Sequence, residues 1–195
     1  MAIDEVGSSE ETATAPAAPA SPAAPASPAV ETRRRAHWFV FFGLALSVFV
    51  LDQLSKAWLT SRLSPGEVMT VLGDWIRLVY GQNSGALFGL FRDNAVLFGI
   101  VSLVVIGLII VYHRQVGSSL YLSIALGLLL GGALGNVTDR LRLGYVVDFV
   151  DIGIGDFRWY TFNVADAAIS IAIVMLIGAA LIPPLTGSGG RKSDG

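Results

Sequence analysis

Four long apolar runs constrain the fold of this chain more than any other feature of its sequence. They cover residues of about 37–59, 94–113, 120–136 and 163–182. A helix that crosses a bilayer needs about 20 mainly apolar residues. Only 14% of the chain is charged, against roughly 25% in a soluble domain. The sequence therefore predicts an all-α polytopic membrane protein, whose four transmembrane helices form one domain over residues 36–184.

The two ends of the chain differ in composition from this domain. Residues 1–35 are acidic at first and then rich in Ala, Pro and Ser, a composition that buries too little apolar surface to fold. We expect a disordered N-terminal tail there and a short cytoplasmic tail over residues 185–195. The basic cluster Arg33-Arg34-Arg35 precedes the first span, which favours a cytoplasmic N-terminus, and four spans then return the C-terminus to the same side. Counted over all Lys and Arg residues, six lie in the predicted inner segments and seven in the predicted outer ones, so the total does not decide the orientation.

A small β-sheet is predicted between the first two spans. Pro65-Gly66 favours a turn, and residues 68–72 and 75–80 form two short runs rich in β-branched and aromatic residues. With the N-terminus in the cytoplasm, this sheet lies on the extracytoplasmic side. Trp159 and Tyr160, shortly before the fourth span, are expected at the membrane interface.

The residue types that are scarce in the chain exclude several kinds of chemistry. The sequence has no cysteine, which excludes disulfides, thiolate catalysis and thiolate metal sites. His37 and His113 are far apart at span edges, where we expect interfacial residues and not metal ligands. No basic stripe of the kind that binds nucleic acid is present. We therefore expect no metal, no cofactor and no nucleic-acid partner.

Polar residues at the ends of the third and fourth spans indicate a functional site. This set is Asn136, Asp139, Arg140, Asp148, Asn163 and Asp166. Carboxylates at membrane depth are costly, so they suggest a function. If Asp148 and Asp166 meet, they share one proton, and the pair can act as general acid and general base on a peptide bond without a nucleophilic side chain or a metal.

Structural explanations for the same residues stay open at the level of sequence. Asn163 can cap the fourth helix, with Asp166 favouring the positive helix end. Asp148 can be a loop acid, and Asp139 can form a local ion pair with Arg140.

Two further features have similar structural alternatives. Asp52 and Lys56 are four residues apart and can pair on one helical face, or they can line a site at the outer end of the first span. The glycines of the third span fit close helix packing. The short motif Gly153-Ile154-Gly155-Asp156 matches a signature of one class of intramembrane aspartyl proteases, but it lies in a polar segment outside the spans, and we interpret it as coincidence.

The chain resembles the lipoprotein signal peptidases, also called signal peptidase II, a family of bacterial aspartyl endopeptidases. The resemblance covers about residues 38–183. It rests on four separated motifs in order: Asp52-Gln53-Leu54-Ser55-Lys56, Asn83-Ser84-Gly85-Ala86-Leu87-Phe88, Gly131 to Arg140 with Val146-Val147-Asp148-Phe149, and Phe162-Asn163-Val164-Ala165-Asp166. The resemblance implies that Asp148 and Asp166 are catalytic. It also implies a set of substrate-binding or supporting residues: Asn83, Asn136, Arg140, Asn163, Asp52 and Lys56.

The resemblance also implies a substrate and a location. The family removes the signal peptide from prolipoproteins by cutting just before a cysteine that carries diacylglycerol. We therefore expect a multi-pass protein of the bacterial plasma membrane, with its site near the extracytoplasmic face, in contact with membrane lipids. We also expect a monomer that is inhibited by the cyclic peptide globomycin.

Two other functions are considered for the same residues. A small proton-coupled transporter also uses acids and amides at membrane depth, but it predicts internal repeats with broken helices, and the Asn-x-x-Asp-Arg pattern occurs once. A non-enzymatic membrane scaffold would use the carboxylates only to cap helices. It does not readily explain why acids, amides and an arginine collect on one side.

Overall fold

The computed structural model describes residues 28–84, 95–116 and 119–182 of the chain. Within these ranges, four α-helices are long and apolar enough to cross a membrane, which confirms the four predicted spans. The helices are α1 (Pro28–Thr60), α2 (Ala95–Val116), α3 (Leu120–Leu143) and α4 (Val164–Leu181). Residues 85–88 of the predicted Asn83 motif, and both chain ends beyond 28 and 182, lie outside the described residues.

Two helices extend further than the apolar runs predict. Helix α1 begins at Pro28, inside the segment predicted to be disordered. Proline is well suited to a first helical position because its missing N–H would have no partner there. Helix α3 continues to Leu143 instead of stopping near Asn136, and Gly144, with φ of 80°, caps it. Polar residues do not end a helix when they face protein, so the end falls at the first glycine that can adopt a left-handed conformation.

The four strands form one antiparallel sheet, in the order β1-β2-β3-β4. They are β1 (Val68–Leu72), β2 (Ile76–Asn83), β3 (Val146–Ile154) and β4 (Phe157–Arg158). The small sheet and its first two strands were predicted. Strands β3 and β4 were not predicted, because the sequence indicated only a polar segment outside the spans there. Asp148 is consequently a strand residue and not a loop acid.

Helix α3 is the centre of the bundle. It packs against α1, α2 and α4, and its glycines permit these contacts. A Cβ added at Gly131 would lie 2.6 Å from the carbonyl oxygen of Ala45 in α1, and one at Gly132 would lie 2.5 Å from that of Ala165 in α4. Both distances are far too short for a real Cβ, so the packing role predicted for these glycines is confirmed.

The sheet is held over one end of the bundle by an apolar cluster. Leu59, near the end of α1, and Leu63, three residues beyond that helix, are buried against Val147 and Phe149 of β3. Because Val147 and Phe149 flank Asp148, this cluster fixes the position of that carboxylate relative to the helices.

The two histidines lie near the ends of their spans, as the sequence indicates. Both side chains are buried against protein. The His113 ring stacks on Phe41 with centroids 4.1 Å apart, and its Nε2 lies 3.0 Å from Ser123 Oγ.

Helix packing predicts opposite effects for two glycine substitutions. Gly132→Ala should lower the free energy of unfolding by about 1–3 kcal/mol, because the new methyl group forces α3 away from α4. Gly107→Ala in α2 is the control, since no atom lies within 4 Å of the added Cβ, and alanine favours the helix. Thermal unfolding of both purified variants in one detergent tests this. A Gly132→Ala protein as stable as the wild type would contradict the tight contact.

Candidate active site

Asp148 and Asp166 come together at the end of the bundle that carries the sheet. Asp148 lies in β3, and Asp166 is the third residue of α4. Asn163, immediately before α4, connects them. Its Nδ2 donates to Asp148 Oδ1 at 2.8 Å, and its backbone N–H donates to Asp166 Oδ2 at 3.2 Å. Two groups 18 positions apart along the chain are thereby held by one residue.

The other two carboxylate oxygens are also hydrogen-bonded to amides. Asn83, the last residue of β2, donates its Nδ2 to Asp148 Oδ2 at 2.9 Å. Asn136 in α3 donates its Nδ2 to Asp166 Oδ1 at 2.8 Å. Every oxygen of the pair therefore has an N–H donor, and the donors come from β2, α3 and the start of α4. Such donors stabilise the ionised form of a buried carboxylate.

The helix-capping explanation of Asn163 and Asp166 is also correct. Asn163 Oδ1 accepts a hydrogen bond from the backbone N–H of Asp166 at 2.8 Å, and the two residues form a complete capping box. The amide nitrogen of Asn163 is left to reach Asp148. The same side-chain amide of Asn163 therefore caps α4 through its oxygen and binds Asp148 through its nitrogen.

Burial changes the acidity of Asp148. Its pKa is raised to about 6 from an ordinary value of 3.8. Burial is the largest cause and the negative charge of Asp166 adds to it, while hydrogen bonds from Asn83 and Asn163 act in the opposite direction. Asp148 therefore retains its proton up to about pH 6.

A buried ion cluster lies next to the pair. Lys56 Nζ lies 2.8 Å from Asp52 Oδ2 and 2.8 Å from Asp139 Oδ2, and it donates to Asn136 Oδ1 at 3.3 Å. Asp52 also accepts the backbone N–H of Ala165 at 3.0 Å. Asp52 and Lys56 do form the predicted ion pair, and through Asn136 and Ala165 they also support the residues that hold Asp166.

Arg140 completes the set on α3. Its Nη1 donates to the carbonyl oxygen of Asn136 at 3.3 Å, and its charge interacts with both Asp166 and Asp148. The structure thus collects, at one end of the bundle, all eight residues to which the family resemblance assigns a role.

Comparisons with known proteins agree with this geometry. The sequence model of a family described as Signal peptidase (SPase) II matches residues 44–182. The chain belongs to the signal peptidase II family.

Relatives match this signal peptidase II family member over most of its length. The lipoprotein signal peptidase of Moorella thermoacetica is 41% identical over 153 residues, which cover 78% of this chain and 98% of the relative. The lipoprotein signal peptidase of Halothermothrix orenii is 37% identical over 134 residues, which cover 69% of this chain and 90% of the relative. A solved bacterial membrane enzyme, determined by the in meso method, superposes with a TM-score of 0.68 at 28% identity, over 78% and 93% of the two chains. The family resemblance is confirmed, and the transporter alternative finds no support.

Sequence reasoning missed the contacts of two residues of the site in this family member. Asp139 was included among the polar residues of the site with Arg140 as its possible partner, but it pairs with Lys56 and accepts the backbone N–H of Val147 at 3.1 Å. Gln53 donates to Asp139 Oδ1 at 3.0 Å. The signal was present: Asp139 lies three residues after Asn136, on the same helical face, and Gln53 lies between Asp52 and Lys56.

The short Gly-x-Gly-Asp motif takes no part in this arrangement. Asp156 is exposed in the turn between β3 and β4, and Gly155, with φ of 55°, supplies the left-handed conformation that the turn needs.

The ion cluster predicts a large effect of removing its cation. Lys56→Met should lower the free energy of unfolding by about 3–5 kcal/mol, because two buried carboxylates then lose their countercharge. Thermal unfolding in detergent tests this, with Arg62→Met as the control, since Arg62 is exposed beyond α1. Adding Asp139→Asn should recover part of the loss by removing one uncompensated charge. Wild-type stability of Lys56→Met would exclude the proposed electrostatic role.

Proposed function

We propose that this protein is an aspartyl endopeptidase that removes the signal peptide from diacylglyceryl-modified prolipoproteins, cutting just before the lipidated cysteine. The observation that carries the proposal is the carboxylate pair: Asp148 and Asp166 share Asn163 as a hydrogen-bonding partner. Membership of the signal peptidase II family makes the chain a protease, and the names of its relatives supply the class of substrate.

The chemistry follows from one proton held by two acids. The ionised carboxylate takes a proton from water, whose oxygen then attacks the scissile carbonyl carbon. The protonated carboxylate donates to the carbonyl oxygen in the same step. When the tetrahedral intermediate collapses, the departing amine takes a proton from the acid that received it from water, and a hydroxyl group of the intermediate returns its proton to the other carboxylate. The raised pKa of Asp148, about 6, supports this mechanism because a carboxyl group that keeps its proton near neutral pH can act as a general acid.

The surrounding residues have distinct roles in this proposal. Asn136 and Asn163 hold the carboxylates. Lys56 holds Asn136, Asp52 holds the start of α4, and Asp139 holds Lys56 and the backbone of Val147. Arg140 and Asn83 remain the groups through which the substrate is bound, and globomycin is expected to compete for them.

Lipid anchoring explains how a small enzyme accepts many precursors. Each methylene of an acyl chain buried in the bilayer contributes about 0.8 kcal/mol, so affinity need not come from the peptide sequence. We place the site near the extracytoplasmic face of the bacterial plasma membrane, with both termini in the cytoplasm and the enzyme acting as a monomer. The basic cluster Arg33-Arg34-Arg35 supports this orientation.

Neutralising either acid should abolish cleavage. Asp148→Asn and Asp166→Asn should each reduce turnover by at least about 100-fold, because general acid–base catalysis contributes about 10²–10⁴. The measurement is cleavage of a diacylglyceryl-modified precursor by the purified full-length protein.

Two controls separate catalysis from folding in this experiment. Asp156→Asn changes an exposed acid in the β3–β4 turn and should leave turnover unchanged. Melting temperatures should show that Asp166→Asn still folds, since a capping contact stabilises by only about 1 kcal/mol. Wild-type turnover by either Asn variant would refute the pair.

The pH profile provides a second test of proton sharing. If the one-proton form is active, kcat/KM should decline as pH rises through about 6, where Asp148 ionises. Asn83→Ala removes a hydrogen bond that favours ionised Asp148, so the decline should move to higher pH, by about one unit. Gln82→Ala, at the exposed neighbouring position, should leave it in place. If the decline in kcat/KM occurs at the wild-type pH or at a lower pH in Asn83→Ala, Asp148 is not the group whose ionisation causes it.

A further inference from the structure

The hairpin formed by β3 and β4 exposes an unusual number of large apolar side chains. Phe157 is 84% exposed, Trp159 70% and Ile154 57%. Together with Trp75 and Ile152 they line a shallow groove of about 520 Å³. They are absent from the apolar cluster that holds the sheet on α1. Exposed apolar patches of this kind mark interaction surfaces.

The strand register places these side chains on one face, which we call the aromatic face: Ile152, Ile154, Phe157 and Trp159. Phe157 pairs with Ile154, and the backbone N–H of Trp159 donates to the carbonyl oxygen of Ile152 at 2.7 Å. Side chains two residues apart in a strand point to the same side. The four residues therefore form a continuous surface along the hairpin.

The opposite side of the same hairpin is polar and internally satisfied. Asp151 is buried between two arginines: Arg158 Nε donates to its Oδ1 at 3.0 Å, and Arg77 Nη2 donates to its Oδ2 at 2.8 Å. Burial alone would raise the pKa of Asp151, but the hydrogen bonds and charges of Arg158 and Arg77 outweigh it and hold the pKa below its ordinary value. The hairpin is thus an amphipathic ribbon.

The aromatic face continues into a membrane span. Phe162, which also lines the groove, lies two residues before Val164, the first residue of the apolar span of α4. Two residues of extended chain reach at most about 7 Å. With the hydrocarbon beginning where this span begins, Phe162 is expected within the interfacial layer. Tryptophan and other aromatic side chains are enriched in that layer, because one part of the ring system is apolar and another is polar.

We infer that the aromatic face of the β3–β4 hairpin docks into the head-group layer of the lipid bilayer, in the leaflet where α4 begins. The partner is the lipid surface and not a protein. Docking itself does not depend on the proposed function, but it has a consequence for it. Asp148 lies four residues before Ile152 in β3, about 13 Å along the strand, so a docked hairpin fixes the height of Asp148 relative to the bilayer surface.

Fluorescence of single tryptophans in vesicles tests the inference directly. The full-length chain has four tryptophans, so Trp38→Phe/Trp58→Phe/Trp75→Phe leaves Trp159 alone. The vesicles contain phosphatidylcholine brominated near the top of its acyl chains, and iodide is the aqueous quencher. Brominated lipid should remove most of the Trp159 emission, and iodide should remove little.

Two matched variants calibrate this measurement. Trp38→Phe/Trp75→Phe/Trp159→Phe leaves Trp58, a partly exposed residue of the α1 span, as the lipid-contact control. Replacing all four tryptophans with Phe and adding Glu67→Trp, at an exposed position before β1, gives the water-contact control. Trp159 should behave like Trp58.

Two outcomes would overturn the docking surface. Iodide quenching equal to that of the Glu67→Trp control would place the aromatic face in water. Protection from iodide without quenching by brominated lipid would mean that protein covers the face instead. Neither readout requires peptide cleavage, so failure here is distinguishable from failure of the proposed function.

Discussion

The side-chain amide of Asn163 joins the three elements that carry the site. It is fully buried, and its Nδ2 faces Asp148 Oδ1, Asn136 Oδ1 and the carbonyl oxygen of Val147 within 3.2 Å. Its Oδ1 accepts from the start of α4. An aspartate would fit the same space but would have no N–H to offer to these oxygens. The relative positions of β3, α3 and α4 therefore depend on an amide at this position.

Buried charge is the cost of assembling this site, and the surrounding groups limit that cost. Asp52, Lys56, Asp139 and Asp148 are all nearly inaccessible to water, where an uncompensated charge would be strongly unfavourable. Lys56 serves two carboxylates at once, and N–H groups serve the other oxygens. Such a network is most easily understood as a functional requirement, since apolar residues would stabilise the bundle equally well.

The sequence predicts those features of the structure that depend on neighbouring residues, and it misses those that depend on contacts between distant parts of the chain. The four spans were predictable because each is a continuous apolar run, whereas the end of α3 was not, because Asn136 and Asp139 face protein. Strand β3 was missed because its partner β2 lies about 70 residues earlier in the chain. At the site, spaced motifs were enough to select Asp148 and Asp166. The pairing of Asp139 with Lys56 instead of the adjacent Arg140 required the packing of α1 on α3.

The capping box of α4 has a mechanical consequence. Because Asp166 is bound into the first turn of the helix, its carboxylate moves with the helix axis, whereas Asp148 is fixed to the sheet by neighbours that pack on α1. Any tilt of α4 relative to the sheet therefore alters the spacing of the two carboxylates.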